Sequence, residues 1–228
     1  MRTIIIGDIH GCSAALQALL SKVKIVGNDR LILLGDLFDR GPDSFEVFRL
    51  VRQLAGAMGE DFVLLRGNHE DYLLSPKLTL LQRFVWERVG RGTTAASFKA
   101  HGDRMESAIP WLTQNCRMYY QGEGFQCVHA GLLVDPIEAN DMQTMIHDHT
   151  VVQRNVYAGP LTVTGHIALE EPTYFAGDGE TTETLEYGVP LPLLETGVIC
   201  IDTGCGKGGR LTAMLIREKE YRLECVPE

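Results

Sequence analysis

Residues 1–23 read MRTIIIGDIHGCSAALQALLSKV, and this stretch decides the fold class. A run of mostly β-branched residues, Thr3–Ile6, ends abruptly at Gly7-Asp8, and a short apolar run bounded by turn residues is typical of a buried strand. The next residues, Ser13–Val23, carry leucines at the spacing of one helix face. The stretch therefore predicts a buried strand, a polar turn and an amphipathic helix.

The same pattern recurs along the chain. The run Leu31–Leu34 ends at Gly35-Asp36, a helical pattern covers Asp43–Met58, and Phe62–Leu65 ends before Gly67-Asn68-His69. Three later apolar runs also end in polar residues: Phe125–Val128 before His129, Leu161–Thr164 before Gly165-His166, and Val198–Ile201 before Asp202. Alternating strands and helices indicate an α/β domain, in which ligands bind beyond the carboxyl ends of the strands. We therefore predict an active site at these strand ends.

Composition and charge exclude several classes of protein. The chain has 228 residues, 45% of them hydrophobic, which predicts one domain over residues 1–228. Its formal net charge of -9 predicts a surface that repels nucleic acid. No apolar run is long enough to span a membrane, and the start does not resemble a secretory signal. The six cysteines form no CxxC pair, which is typical of reduced thiols. We expect a cytoplasmic protein with neither membrane nor nucleic-acid partners.

Two segments interrupt the alternation of strands and helices. Residues 71–115 have a mostly helical pattern, and we predict that they form a cap over the site, packed through Trp86 and Trp111. Residues 168–196 hold seven acidic residues and no Lys or Arg, and together with their prolines and glycines this predicts an irregular surface loop. Surface or structural roles are expected for three histidines outside the strand ends: His101, His147 and His149.

The residues at the strand ends are suitable metal ligands. They offer two carboxylates, one amide oxygen and three imidazoles: Asp8, His10, Asp36, Asn68, His129 and His166. A mixed oxygen and nitrogen set without thiolates suits Mn, Fe or Zn. Two such ions about 3.5–4 Å apart lower the pKa of a shared water and hold a phosphate in line with it. The set therefore predicts a two-metal phosphoesterase.

Several motifs carry a resemblance to a known family. The stretches GDIHG (7–11), GDLFDRG (35–41) and GNHE (67–70) closely resemble the signature motifs of the PPP-type phosphatases, which are calcineurin-like metallophosphoesterases. VHAGL (128–132), GH (165–166) and IDTG (201–204) are similar to the family's later motifs, so the resemblance covers nearly the whole chain. Ala168 stands where many wider relatives carry a further histidine, which favours the PPP branch. His129-Ala130-Gly131 replaces the His-Gly-Gly of eukaryotic members, which favours the bacterial and phage serine/threonine protein phosphatases within that branch.

The resemblance implies a fold and a metal site. The fold would be an α/β sandwich of two mixed β-sheets flanked by helices, with residues 71–115 as a helical cap insertion. Asp36 would bridge the two metals, the first held by Asp8, His10 and Asp36 and the second by Asp36, Asn68, His129 and His166. The expected cofactors are two divalent ions, with Mn²⁺ preferred and Fe or Zn as alternatives.

The resemblance also implies catalytic roles. His69 would be the general acid that protonates the leaving oxygen, and Asp39 would orient it. Arg40 would bind the phosphate, a role that suits the fork of a guanidinium group, and Asn68 would also contact the substrate. For the family's second phosphate-binding arginine the best match is Arg154, with two rivals, Arg91 and Arg117.

The expected function is that of a protein phosphatase on phosphoserine and phosphothreonine, with phosphotyrosine as a further substrate. Hydrolysis would proceed by direct attack of a hydroxide that bridges the two metals. A first alternative applies the same chemistry to a phosphorylated small molecule, as in symmetrical cleavage of diadenosine tetraphosphate. A second alternative is a catalytically inactive metal-binding regulatory module, and the intact His69, Asp39 and Arg40 argue against it.

Overall fold

Thirteen β-strands and eight α-helices make up the computed structural model, which describes residues 1–228. The strands are, in chain order, β1 (Arg2–Ile6), β2 (Arg30–Leu33), β3 (Phe62–Leu65), β4 (Cys116–Arg117), β5 (Tyr119–Gln121), β6 (Gln126–Val128), β7 (Thr162–Thr164), β8 (Thr173–Phe175), β9 (Thr182–Thr184), β10 (Leu191–Pro192), β11 (Val198–Cys200), β12 (Arg210–Arg217) and β13 (Glu220–Pro227).

The helices are α1 (Ser13–Val23), α2 (Ser44–Met58), α3 (Asn68–Leu74), α4 (Leu80–Val89), α5 (Arg91–Ala100), α6 (Ile109–Asn115), α7 (Met142–His147) and α8 (Thr150–Arg154). Three short 3₁₀ turns lie at Gly59–Asp61, Met105–Ala108 and Ile137–Ala139. None of the helices is both long enough and apolar enough to cross a membrane.

The strands form two sheets that pack face to face. The first sheet has the order β10-β13-β12-β1-β2-β3-β4, and the second has the order β5-β6-β7-β11-β8-β9. Both sheets are mixed: β1, β2 and β3 run parallel beside the antiparallel β12, and β7 runs parallel to β6 and β11 beside the antiparallel β8. Helices pack on the outer faces. The predicted fold class, a sandwich of two mixed sheets flanked by helices, is confirmed.

The first strand shows why its apolar run is continuous. Successive side chains of a strand point to opposite faces of the sheet. Ile4 and Ile6 join the apolar cluster beneath α1 and α2, whereas Ile5 joins the cluster between the two sheets. Because both faces of the strand are covered, each position requires an apolar side chain.

The two interrupting segments have different structures. Residues 71–115 are helical apart from short connections, and they pack against α2 through Phe98 of α5. Residues 168–196 instead contain β8 and β9, which pair as an antiparallel hairpin from Thr173 opposite Thr184, and the short strand β10. The prediction of an irregular loop is therefore wrong for these residues, because strand pairing at the edge of the second sheet outweighs their turn-forming composition.

Candidate metal centre and active site

The predicted metal ligands meet where strand ends of both sheets converge. Asp36 lies at the centre of this group, since its carboxylate is 3.5 Å from Nε2 of His10 and 3.5 Å from Nε2 of His129. Two sets of three potential ligands share Asp36: one is completed by His10 and His69, the other by His129 and His166. Within each set the ligand atoms lie within 4.8 Å of one another. Of the six ligands predicted from the sequence, His166 is half-buried and the other five are buried: Asp8, His10, Asp36, Asn68 and His129.

Asp8 and Asn68 complete the group. Asp8 Oδ2 lies 3.9 Å from His10 Nε2, and it accepts a hydrogen bond from the backbone N–H of His166 at 3.0 Å. Asn68 Oδ1 lies 3.1 Å from His129 Nε2 and 2.9 Å from His166 Nδ1. The structure therefore brings all six predicted ligands together, although four follow the parallel strands β1, β2 and β3 of the first sheet and two follow β6 and β7 of the second sheet.

Two histidines are held in the tautomer that a metal ligand needs. His10 Nδ1 donates to the carbonyl oxygen of Phe38 at 2.8 Å, and His129 Nδ1 donates to that of Leu34 at 2.8 Å. A carbonyl oxygen only accepts, so Nδ1 carries the proton and Nε2 presents a lone pair. Burial lowers the pKa of His10 and of His129, and it lowers the pKa of His166 to about 2, so these rings are neutral.

The donor set fits divalent cations. The lone pair of His129 Nε2 faces the carboxylate of Asp36 and the amide oxygen of Asn68, and no proton is available between these acceptors. Asp8 Oδ1 is buried without any hydrogen-bond partner. Facing acceptors repel one another unless a positive charge lies between them, and buried charges are normally paired or bound to metal. These residues could therefore hold two ions that share Asp36.

His69 and Asp39 form a buried acid–carboxylate pair next to the ligands. His69 Nδ1 donates to Asp39 Oδ2 at 2.6 Å, which leaves Nε2 directed at Asp36, 3.8 Å away. Burial disfavours the charged imidazole, but the charge of Asp36 and the hydrogen bond to Asp39 outweigh it and raise the pKa of His69 above its ordinary value. His69 is therefore suited to carry a proton on Nε2 and to release it.

The loops of the site hold non-glycine residues in the left-handed region. Their φ angles are 47° at His10, 50° at Asp36, 71° at Asp39, 64° at Arg40 and 68° at His166. Such residues cost about 1–3 kcal/mol each and persist only where neighbouring groups hold them, most often at functional sites. One of these residues, Arg40, donates from its guanidinium group to Nε2 of another, His10.

Glu70 holds two of these loops together, a role that the sequence did not reveal. Its carboxylate accepts from the backbone N–H groups of Asp36 at 2.7 Å, Leu37 at 2.8 Å and Gly67 at 3.0 Å. The loops after β2 and β3 thereby share one buried acceptor. Its position in GNHE marked Glu70 as part of a motif, but only the fold shows what it contacts.

Two residues predicted to lie outside the site contact it directly. His149 Nε2 is 3.1 Å from His166 Nε2, although a surface or structural role was expected for His149. Trp86, expected only to pack the cap, donates from Nε1 to Asp39 Oδ2 at 2.8 Å. No local spacing indicates either contact, because the partners are 17 and 47 residues apart.

The predicted second arginine does not join the cluster. Arg154 is the last residue of α8, and its exposed side chain forms no hydrogen bond or ion pair. Of its rivals, Arg91 pairs with Glu87 on the surface of the helical segment at 2.6 Å, and Arg117 is exposed on β4. A phosphate-binding role for Arg154 stays a prediction.

Comparisons with known proteins identify the family of the chain. A family model described as calcineurin-like phosphoesterase matches residues 1–197. The bis(5'-nucleosyl)-tetraphosphatase PrpE [asymmetrical] of Oceanobacillus iheyensis is 30% identical, over 97% of this chain and 91% of the relative. A symmetrical bis(5'-nucleosyl)-tetraphosphatase of Pseudomonas fluorescens is 35% identical over 58% of this chain, which spans only 44% of that relative's length.

The solved structures show the same fold. A cold-active protein-tyrosine phosphatase from a psychrophilic Shewanella species matches with a TM-score of 0.66 and 16% identity, over 99% of this chain and 80% of the other. The family match covers most of the chain, and calcineurin-like phosphoesterases bind two divalent metal ions. The chain is thus a hydrolase and belongs to the calcineurin-like phosphoesterase family of metallophosphoesterases.

Proposed function

We propose that the chain hydrolyses dinucleoside polyphosphates. The observation that carries this proposal is the similarity to PrpE along nearly the full length of both chains, which includes the segments around the site. The site supports it, because neutral imidazoles and buried carboxylates converge beside a proton-bearing histidine. The substrate would be a phosphoanhydride, whose leaving group is itself a nucleotide.

The proposal assigns the metal ligands as the sequence predicted them. Asp8, His10 and Asp36 would hold one ion, and Asp36, Asn68, His129 and His166 the other, with Mn²⁺ as the expected metal. Bound divalent ions supply Lewis acidity, which lowers the pKa of the attacking water and offsets charge on the phosphoryl oxygens. The protein's contribution is to hold the ligand imidazoles neutral, so that their lone pairs are available to the ions.

The remaining chemistry lies with the side chains next to the ligands. His69 would donate its Nε2 proton to the leaving oxygen, while Asp39 keeps the ring oriented through the bond to Nδ1. Arg40, which already points at His10, would place its guanidinium fork on two phosphoryl oxygens. Asn68 would contact the substrate as well as the second metal.

A second candidate is the protein phosphatase that the sequence motifs indicate. The observation that favours it is the buried His69–Asp39 pair. The alkoxide that leaves from phosphoserine or phosphothreonine is strongly basic and needs a proton, whereas a nucleotide leaving from an anhydride is weakly basic. A well-ordered proton donor is therefore of greater value for an ester substrate.

An assay with Mn²⁺ tests both candidates. Diadenosine tetraphosphate, phosphoserine and phosphotyrosine peptides, and p-nitrophenyl phosphate are compared by kcat/KM. We expect the dinucleotide to be the best substrate, with ADP alone as product of symmetrical cleavage, or ATP and AMP as products of asymmetrical cleavage. Faster hydrolysis of a phosphopeptide would favour the second candidate. No metal-dependent turnover of any of them would leave only an inactive metal-binding module.

His149 is expected to support the second metal. If His166 Nδ1, which faces Asn68, is a ligand, its proton lies on Nε2 and is donated to His149 Nε2, 3.1 Å away. Loss of such an outer partner weakens metal binding by about 10–100-fold. We therefore expect His149→Ala to bind Mn²⁺ at least about 10-fold more weakly by calorimetry.

His101→Ala is the matched control for this experiment. His101 is also an exposed histidine, but it stacks on Phe45 with ring centroids 4.3 Å apart and contacts no predicted ligand. Its replacement is expected to leave Mn²⁺ affinity unchanged. Equal affinities of the His149→Ala variant and the wild type would show that His149 does not act on the metal site.

A further inference from the structure

The Asp39 carboxylate is held by more than His69. Oδ2 accepts from His69 Nδ1 at 2.6 Å and from Trp86 Nε1 at 2.8 Å, and Oδ1 accepts from Thr94 Oγ1 at 2.6 Å. All four side chains are buried, Asp39 completely so. Trp86 belongs to α4 and Thr94 to α5, so both additional donors come from the helical segment inserted between β3 and β4.

Thr94 also binds the backbone of the loop. Its Oγ1 accepts from the backbone N–H of Asp39 at 2.9 Å and lies 3.1 Å from the hydroxyl of Ser44. One hydroxyl group therefore contacts both the carboxylate of Asp39 and its main chain. Asp39 has a φ of 71°, an unfavourable conformation for a non-glycine residue that such contacts can maintain.

The junction of the two helices rests on the same loop. Gly90 separates α4 from α5 with a φ of 124°. A Cβ atom at Gly90 would lie 2.2 Å from the backbone nitrogen of Arg40, so the junction packs directly on residues 39 and 40 with no room for a side chain. The helical segment thus contacts Asp39 through two side chains and its neighbour through a glycine.

These contacts have a chemical consequence for His69. A buried carboxylate with three donors is a well-stabilised anion with little freedom to rotate. It therefore retains one lone pair aimed at His69 Nδ1. The ring is kept in the orientation that directs Nε2, and the proton that Nε2 carries in the imidazolium form, toward the metal ligands.

We propose that Trp86 and Thr94 are positioning residues for the general acid, through which helices α4 and α5 orient Asp39 and hence His69. The proposal rests on the role proposed for His69. A purely structural role for the same residues would alter stability, or slow every substrate equally. A positioning role slows substrates in proportion to how much their leaving group needs a proton.

Three variants separate the two roles. Trp86→Phe removes the indole N–H but keeps an aromatic ring, Thr94→Val removes the hydroxyl at constant shape, and Thr94→Ser restores it. The control is Trp111→Phe, because Trp111 packs edge-on against Phe48 at 5.6 Å and is the only other tryptophan. Each Mn²⁺-loaded variant is assayed for kcat on aryl phosphates whose leaving phenols range from strongly to weakly acidic.

For the substrate with the least acidic phenol, kcat is expected to fall about 10-fold in Trp86→Phe and in Thr94→Val, which is a fraction of what general acid catalysis contributes. For the substrate with the most acidic phenol, kcat is expected to change little. Thr94→Ser and Trp111→Phe are expected to follow the wild type over the whole series. Losses that are the same for every leaving group would overturn the proposal. An inactive wild type would instead count against the proposed function.

Nuclear magnetic resonance of ¹⁵N-tryptophan-labelled protein supplies a readout that needs no turnover. The two indole resonances are assigned with Trp111→Phe, and the Trp86 N–H is expected to shift downfield because it donates to a carboxylate. Asp39→Asn should move this resonance and leave that of Trp111 in place. A Trp86 resonance that does not respond to Asp39→Asn would refute the contact on which the proposal stands.

Discussion

Replacement of His69 by Asn is expected to lower kcat by about 10²–10⁴-fold on phosphate esters of weakly acidic alcohols. His69 is buried, its Nδ1 bonds to Asp39 Oδ2 at 2.6 Å, and its Nε2 is free of backbone partners. Without the imidazole, the site loses the group that is proposed to protonate the leaving oxygen. The measurement is steady-state kcat with Mn²⁺ on phosphoserine peptide, phenyl phosphate and p-nitrophenyl phosphate.

The loss should depend on the leaving group. We expect it to be smallest for p-nitrophenyl phosphate and for diadenosine tetraphosphate, since both release weakly basic groups that leave without a proton. The metal content, determined by elemental analysis, should stay at the wild-type value. The potential ligand atoms of His69, Asp36 and His10 lie within 4.8 Å of one another, so loss of one metal from the variant would identify His69 as a ligand instead of an acid.

Replacement of Asp36 by Asn is expected to abolish metal-dependent turnover. Asp36 is the one residue common to both sets of ligand atoms, and its carboxylate faces the neutral rings of His10 and His129. Removal of an outer partner of a ligand already weakens binding by about 10–100-fold, so removal of the shared charge should exceed about 100-fold. Calorimetric titration with Mn²⁺ measures the change.

Thermal unfolding gives a second measure of the same prediction. A ligand at 100 times its Kd stabilises the folded state by about 2.7 kcal/mol, so Mn²⁺ should raise the Tm of the wild type. This rise should be absent in Asp36→Asn. The matched control is Asp61→Asn, because Asp61 precedes β3 at the end opposite the site and pairs with Arg30 at 2.8 Å. A normal Mn²⁺-induced rise in Asp36→Asn would contradict the assignment of Asp36 as shared ligand.

Much of the candidate site was predictable because it follows from local pattern. Asp8, Asp36 and Asn68 each come just after a short apolar run, and parallel strands end at the same edge of a sheet. That His129 and His166 join them depends on the packing of the second sheet against the first. The motifs implied this meeting only through the resemblance, since no periodicity relates residues so far apart.

The edge of the second sheet shows the limit of composition as a guide. Residues 168–196 are rich in acidic and turn-forming residues, yet Thr173–Phe175 and Thr182–Thr184 pair as strands. These strands have three residues each, too few for an alternating pattern to stand out. Their pairing is decided by the neighbouring strand β11, which offers an open edge to β8.

The α/β class, the buried strands and the groups that can bind metal follow from strand and helix periodicity and from side-chain chemistry, which are local properties of the chain. The sandwich of two sheets was implied by the family resemblance. The contacts of Trp86 and Thr94 with Asp39, of His149 with His166, and of Glu70 with two loops are visible only in the folded protein. Each of these contacts joins segments that are separate in the chain. Their geometry depends on how the sheets and the inserted helices pack, and a linear pattern does not encode that packing.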